Sequence, residues 1–213
     1  MRGGVGEAGG GEHALRVNDG AWVLATPCGI LPPSMKLHLK FPVLDSILES
    51  RRTDLGADFT SYQNHCRRVT NFCLALAGET AEAKLKVTIA AGFHDLGIWT
   101  NKTFDYLSPS RQLVRDYLAS TKQDPWGDEI EAMIENHHKM RTYRSNPAWL
   151  VEPFRKADWI DVSLGVLRHG LPSAFVAEVR AAFPNTGFHK RLVELSLERF
   201  AKHPLSPLPM MKW

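Results

Sequence analysis

From Phe41 onward the chain is a succession of apolar residues at helical spacing, punctuated by Pro, Gly and Asn, with no sustained period-2 alternation. This restricts the fold to the all-α class, because a sheet needs strands to pair. The clearest stretch runs from Asp58 to Leu76, where Phe59, Tyr62, Cys66, Val69, Cys73 and Leu76 alternate spacings of three and four along one face of an amphipathic helix. A second helix opens near Glu79 and Thr80 and runs through Ala83, Leu85, Val87, Ile89, Ala90 and Ala91 to His94, with Gly97 available as terminator. Its nearly continuous apolar second half predicts central burial. Further helices are expected at 43–51, 109–121, 127–140, 153–168, 173–183 and 188–201; Pro153 suits a first turn, and Pro184 and Pro204 suit stops.

A chain of 213 residues fits one domain. Folding at this size buries about 70% of the unfolded surface, enough for one core. The first eleven residues, MRGGVGEAGGG, hold six glycines, so residues 1–34 read as a flexible Gly/Pro-rich leader, 35–203 as the helical domain and 204–213 as an irregular tail. A hydrophobic fraction of 44% with 23% charged residues excludes wholesale disorder and coiled-coil rods. Lys and Arg are scattered and the net charge is only +3, so there is no strong nucleic-acid signal. Cys28, Cys66 and Cys73 form no CxxC pair, which argues against a zinc knuckle or a disulfide framework and favours a reducing, cytoplasmic setting. No apolar run is long enough to span a bilayer, and Ala21 to Ala25 is too short for a signal-peptide core. The absence of GxGxxG, GxxxxGK[ST] and GxSxG weighs against dinucleotide binding, P-loop chemistry and serine hydrolysis.

Four polar residues interrupt the apolar faces. His65 lies within about 60° of both Tyr62 and Val69, at 100° per residue. His94 and Asp95 fall inside the most hydrophobic run, TIAAGFHDLGIW, and Asp158 stands four residues after Phe154 and four before Val162. An ionised carboxylate survives in a core only if it is paired, hydrogen-bonded or bound to a metal. Taken singly, His65 reads as a satisfied core histidine and Asp158 as a partner of Arg155 or Lys156. Taken together, two histidines and two aspartates suit a divalent transition metal, with positions left over for water and substrate.

In this order, His65 on one helix, the adjacent pair His94 and Asp95 closing the next, and Asp158 within KADWID resemble the signature of the HD-domain superfamily over roughly residues 58–165. Adjacent helical residues diverge by about 100°, so two can reach one ion most readily where a helix ends. The resemblance implies a compact all-α helical bundle in which His65, His94, Asp95 and Asp158 hold one divalent transition metal (Mn, Fe, Co, Ni or Zn). It also implies a metal-dependent phosphohydrolase acting on a small phosphorylated molecule such as a nucleotide, with Asp95 and Asp158 as catalytic residues that orient water.

The segment NHHKM places His137 in line with Ile130, Met133 and Ile134, and His138 about 100° further round, so one of the two is expected to face the site. With Lys139 and Arg68 they are candidate substrate contacts, set against the plainer reading of helix-end and surface cations. Only these two adjacent histidines lie between Asp95 and Asp158, so one metal is expected rather than two. Three residues after Asp95, where the phosphohydrolases it resembles carry Glu or Lys, stands Ile98, and the obvious general acid is missing. The segment TFDYLSPS offers Asp105, Tyr106 or Ser108 to the rim instead. The same resemblance admits a hydratase similar to cyanamide hydratase, or an iron oxygenase, because HDLGIWT suits a small uncharged substrate; a non-catalytic HD ligand-binding module is the third possibility. A small molecule is the expected partner and no membrane is expected, while the scattered tryptophans, Trp22 to Trp213, leave self-association open.

Overall fold

Each long apolar stripe needs another to cover it, and in the computed structural model the helical stripes meet around one core. The structure describes residues 1, 14–16, 22–24, 35–206 and 208–211. Contacts divide the chain into two units, Met1–Ser34 and Met35–Trp213. Within the first, β1 (Ala14–Arg16) pairs antiparallel with β2 (Trp22–Leu24), Leu15 opposite Val23, where the sequence reading expects no strand. Cys28, Trp213 and most of the glycine-rich leader lie outside the described residues.

The second unit contains only helices and turns among its described residues. They are α1 (Pro42–Glu49), α2 (Arg52–Leu55), α3 (Phe59–Ala77), α4 (Ala81–Phe93), α5 (Gly97–Thr100), α6 (Leu107–Ser120), α7 (Gly127–Asn136), α8 (Val151–Val162), α9 (Ser173–Ala182) and α10 (Phe188–Lys202). Gly78, at φ 83°, ends α3, and the Thr80 hydroxyl caps α4 by accepting from the Ala83 amide at 3.0 Å. No helix among the described residues is long and apolar enough to cross a membrane.

Two predicted boundaries move by four residues or more. The expected helix 127–140 stops at Asn136, and the expected helix 153–168 stops at Val162. The second stop has a visible cause: Leu164 (φ 58°) and Gly165 (φ 85°) take left-handed conformations, and the Gly165 amide closes the turn onto the Ile160 carbonyl at 2.8 Å. The short helices α2 and α5 lack a full amphipathic period, so periodicity passes over them.

Helix α3 is central and packs on α8 and α4, with further contacts to α1 and α9. Because neighbours cover it on several sides, its buried arc extends beyond Tyr62, Cys66, Val69 and Cys73 to the polar residues His65, Arg68 and Asn71. Val87, Ala90 and Ala91 of α4 and Phe154, Ala157 and Ile160 of α8 complete the core around it. The C-terminal end of α4 and the middle of α8 are thereby brought against the middle of α3. Cys66 and Cys73 are buried free thiols.

Candidate metal centre

His65 projects from α3, His94 caps α4 with its amide still bonded to the Ala90 carbonyl (2.9 Å), Asp95 follows in the turn before α5, and Asp158 stands on α8. All four are buried. His94 Nε2 lies 3.2 Å from Asp95 Oδ2, and Asp158 Oδ1 lies 3.6 Å from His65 Nε2 and 3.8 Å from His94 Nε2. The four side chains singled out in the sequence therefore converge, and Gly97 has a different part in this from the one expected. It opens α5, and a Cβ there would sit 2.6 Å from the Tyr106 carbonyl, so glycine is what allows the Tyr106 segment to close on the HD turn.

Hydrogen-bond partners fix the tautomers. His65 Nδ1 lies 2.7 Å from Asp161 Oδ2, His94 Nδ1 2.8 Å from the Ala91 carbonyl and His137 Nδ1 2.6 Å from the Ile134 carbonyl. These oxygens only accept, so in the neutral ring each Nδ1 carries the proton and each Nε2 presents a bare lone pair. Burial pushes His65 down to about 4, against the opposing pull of Asp161, so this ring is neutral near pH 7. The Nε2 atoms of His65 and His94 then face each other at 2.9 Å, lone pair against lone pair. Asp95 Oδ1 and both Asp158 oxygens are buried without a hydrogen-bond partner among the described residues. The 3.2 Å contact of Asp95 Oδ1 with His137 Nε2 does not satisfy it, since that nitrogen has no proton to give. Converging acceptors without donors are what a cation relieves, and this donor set fits a divalent transition ion.

Because α7 ends at Asn136, His137 and His138 leave the helical register, and both turn inward; the expectation that only one would is corrected. Asp95, His137 and His138 form a second group of mutually close ligand atoms beside His65, His94 and Asp95, so Asp95 is common to both. The side chain of His138 is 15% exposed and is the member of the cluster that reaches solvent. Its Nε2 lies 2.9 Å from the Tyr106 hydroxyl, which is also 3.3 Å from His137 Nε2. Of the three rim candidates, Tyr106 is thus the one brought inside; Asp105 and Ser108 remain exposed.

Arg68 departs from its expected part. It is buried, its Nε and Nη2 grip both oxygens of Asp161 at 2.5 and 2.8 Å, and its Nη1 donates to the carbonyls of Phe183 and Pro184, so four of its five N–H groups are engaged away from the cluster and it is not placed to meet a substrate. Arg67 pairs with Asp45 at 2.7 Å. Lys139 contributes its carbonyl to Arg155 (3.0 Å), and its ammonium has no ion pair among the described residues. Ile98 lines a cleft of about 550 Å³ formed with Trp99, Phe104 and α10, a cleft that none of the cluster residues lines. Sequence reasoning missed Asp161. The available signal was its position three residues after Asp158, matched by Arg68 three residues after His65.

Burial pushes the Asp158 carboxyl well above the usual range, and the charges of Asp95 and Asp161 push it the same way. Asp158 must lose its proton to ligate, so metal uptake releases a proton and affinity rises with pH. Calorimetric titration with Mn²⁺ near neutral pH, in two buffers of different protonation enthalpy, is expected to give different heats. Equal heats would show that Asp158 is already ionised before the ion arrives.

The family model of the HD domain matches residues 62–164, a span holding all six members of the cluster and Asp161. No curated protein and no solved structure matches the chain.

Proposed function

Because this chain belongs to the HD-domain superfamily through residues 62–164, we propose that it is a metal-dependent phosphohydrolase acting on a small phosphorylated molecule. The observation that carries the reading is the set of facing imidazole lone pairs and unpartnered carboxylate oxygens at one buried point. His65, His94, Asp95 and Asp158 would hold the ion. When bound, a divalent ion supplies Lewis-acid polarisation of a phosphate oxygen and lowers the pKa of water.

The chain's own groups account for the rest. His138 is the way in from solvent, and the segment that follows it carries Lys139, Arg141 and Arg144, which favour an anion at that mouth. Asp95 and Asp158 keep free oxygens that can orient an attacking water and accept its proton. Burial and the neighbouring Asp95 charge hold the Tyr106 phenol well above its usual range, so it stays protonated and can donate to the substrate, a part that Ile98 cannot take.

Tyr106→Phe is expected to lower kcat by about 10²-fold on an alkyl phosphate, with metal content unchanged. On p-nitrophenyl phosphate, whose leaving group needs no proton, the loss is expected to be much smaller. Equal losses on both esters would remove Tyr106 as proton donor.

The test of the reaction class is phosphate release from a panel of phosphomonoesters by the metal-loaded chain, with Asp158→Ala in parallel. Release that disappears in the variant supports the reading, and no release from any ester by a metal-bearing chain overturns it. A second reading, hydration of a small nitrile, is favoured by the apolar rings of Phe154 and Phe188 packed against His94 and His65; it predicts amide formation without phosphate release.

A further inference from the structure

We propose that Asp161 is the positioning residue of this centre: it sets the tautomer and ring orientation of His65 from behind and, with Arg68, is locked in place by the segment joining α9 to α10. The inference rests on His65 being a ligand, and is independent of which reaction the centre performs.

Asp161 is fully buried on α8, and its oxygens are spoken for. Oδ2 accepts from His65 Nδ1 at 2.7 Å and from Arg68 Nη2 at 2.8 Å, and Oδ1 accepts from Arg68 Nε at 2.5 Å. It meets His65 at the nitrogen opposite the one that faces the cluster, so it cannot share an ion with it. What it can do is hold the Nδ1–H form, stop the ring from turning about its axis, and raise the basicity of Nε2.

His65 is singled out among His65, His94 and His137, the three histidines that turn Nε2 into the cluster and Nδ1 away from it. His94 and His137 rest on neutral carbonyls, of Ala91 and Ile134, whereas His65 alone has a carboxylate behind it. A charged acceptor makes the stronger hydrogen bond and donates more electron density through the ring. His65 is therefore the most strongly donating imidazole of the set.

The support comes from beyond residue 164, outside the span that matches the HD domain. Arg68 Nη1 donates to the Phe183 carbonyl at 2.9 Å and to that of Pro184 at 3.2 Å, and Asn64 Nδ2 reaches the same Pro184 oxygen at 2.8 Å. Phe188, at the start of α10, stacks on the His65 ring with centroids 4.1 Å apart and planes 16° from parallel. His189 Nε2 lies 2.9 Å from the Asp161 carbonyl oxygen. The C-terminal segment thus closes over the back of the ligand.

Three measurements on the full chain test this. In the metal-free wild type, long-range ¹H–¹⁵N correlation is expected to show His65 as the Nδ1–H tautomer; an Nε2–H tautomer overturns the proposal whatever the variants do. Competition of Co²⁺ against a chelator is then compared between wild type and the neutral pair Arg68→Met/Asp161→Asn, which removes both charges of the bidentate pair together. A folded double variant is expected to bind about 10- to 100-fold more weakly. Unchanged affinity in that folded variant overturns the proposal, and if the variant does not fold, the wild-type tautomer decides. Phe188→Leu removes the stack but not the carboxylate, so it is expected to keep affinity within about threefold, well short of the outer-shell loss. A loss as large as that of the neutral pair would assign the effect to packing and sink the idea. A wild-type chain that takes up no Co²⁺ removes the metal reading, and this inference with it; intact binding with no phosphate release removes only the proposed reaction.

Discussion

Purified without chelator, the chain is expected to carry about one equivalent of a divalent transition metal, and His65→Ala and Asp158→Ala to carry none. Elemental analysis reads this directly. The expected fall in affinity is at least about 10²-fold, the upper end of what removing an outer partner of a ligand costs. Stability of the metal-free chain distinguishes a ligand from a structural residue. Asp158 has both oxygens buried without a hydrogen-bond partner among the described residues, so truncating it removes an unsatisfied group. Metal-free Asp158→Ala should therefore be about as stable as the metal-free wild type, or more so, while losing the gain in Tm that added metal confers. A variant much less stable than wild type that still bound the ion would make Asp158 a structural residue. A second equivalent, lost on His137→Ala with the first retained, would assign an ion to Asp95, His137 and His138 as well.

Arg68→Met is expected to be the most damaging single substitution outside the ligand set, at about 3–5 kcal/mol, because it takes from the buried Asp161 carboxylate the cation bonded to both its oxygens and leaves only Arg180, 3.9 Å away. For a chain of this length that lowers Tm by roughly 6–20 °C. Equilibrium urea unfolding measures it, and a loss below about 1 kcal/mol, the range of an exposed pair, would show that the bidentate contact contributes little. The pH dependence has a definite sign. Burial pushes the Asp161 carboxyl up, but His65 and Arg68 outweigh it and hold the group well below the carboxylate range. Its stabilising contribution is present above the unfolded carboxyl pKa of about 3.9 and is lost as pH falls through the folded value. In Arg68→Met the carboxyl takes up its proton at a higher pH than in wild type, so the gap between the two should narrow on acidification.

Much of this site was legible before any coordinates. The three-and-four spacing from Phe59 to Leu76 reads directly as α3, and it places His65 within the buried arc. The pair His94 and Asp95 was expected at a helix end, and α4 ends at Phe93. Asp158 was expected inside an apolar stripe, and it is buried. Other features escaped. Neither Gly nor Pro marks the end of α7, so the inward turn of both His137 and His138 had no local signal. Arg68 read as a cation free to meet a phosphate, because its partner lies 93 residues away in the sequence. Tyr106 stood among three equivalent rim candidates until the close approach at Gly97 selected it.

The sequence by itself determined which faces are buried and where most helices begin, since those depend on residue spacing and on capping within a few positions. Only the tertiary structure decided what each buried polar group meets. Periodicity reports that a side chain leaves water but carries no information about the element packed against it, and hydrogen bonds and lone pairs depend on ångström distances across that contact. The convergence of His65, His94, Asp95 and Asp158, and the capture of Arg68 by Asp161, follow from α3 lying between the end of α4 and the middle of α8.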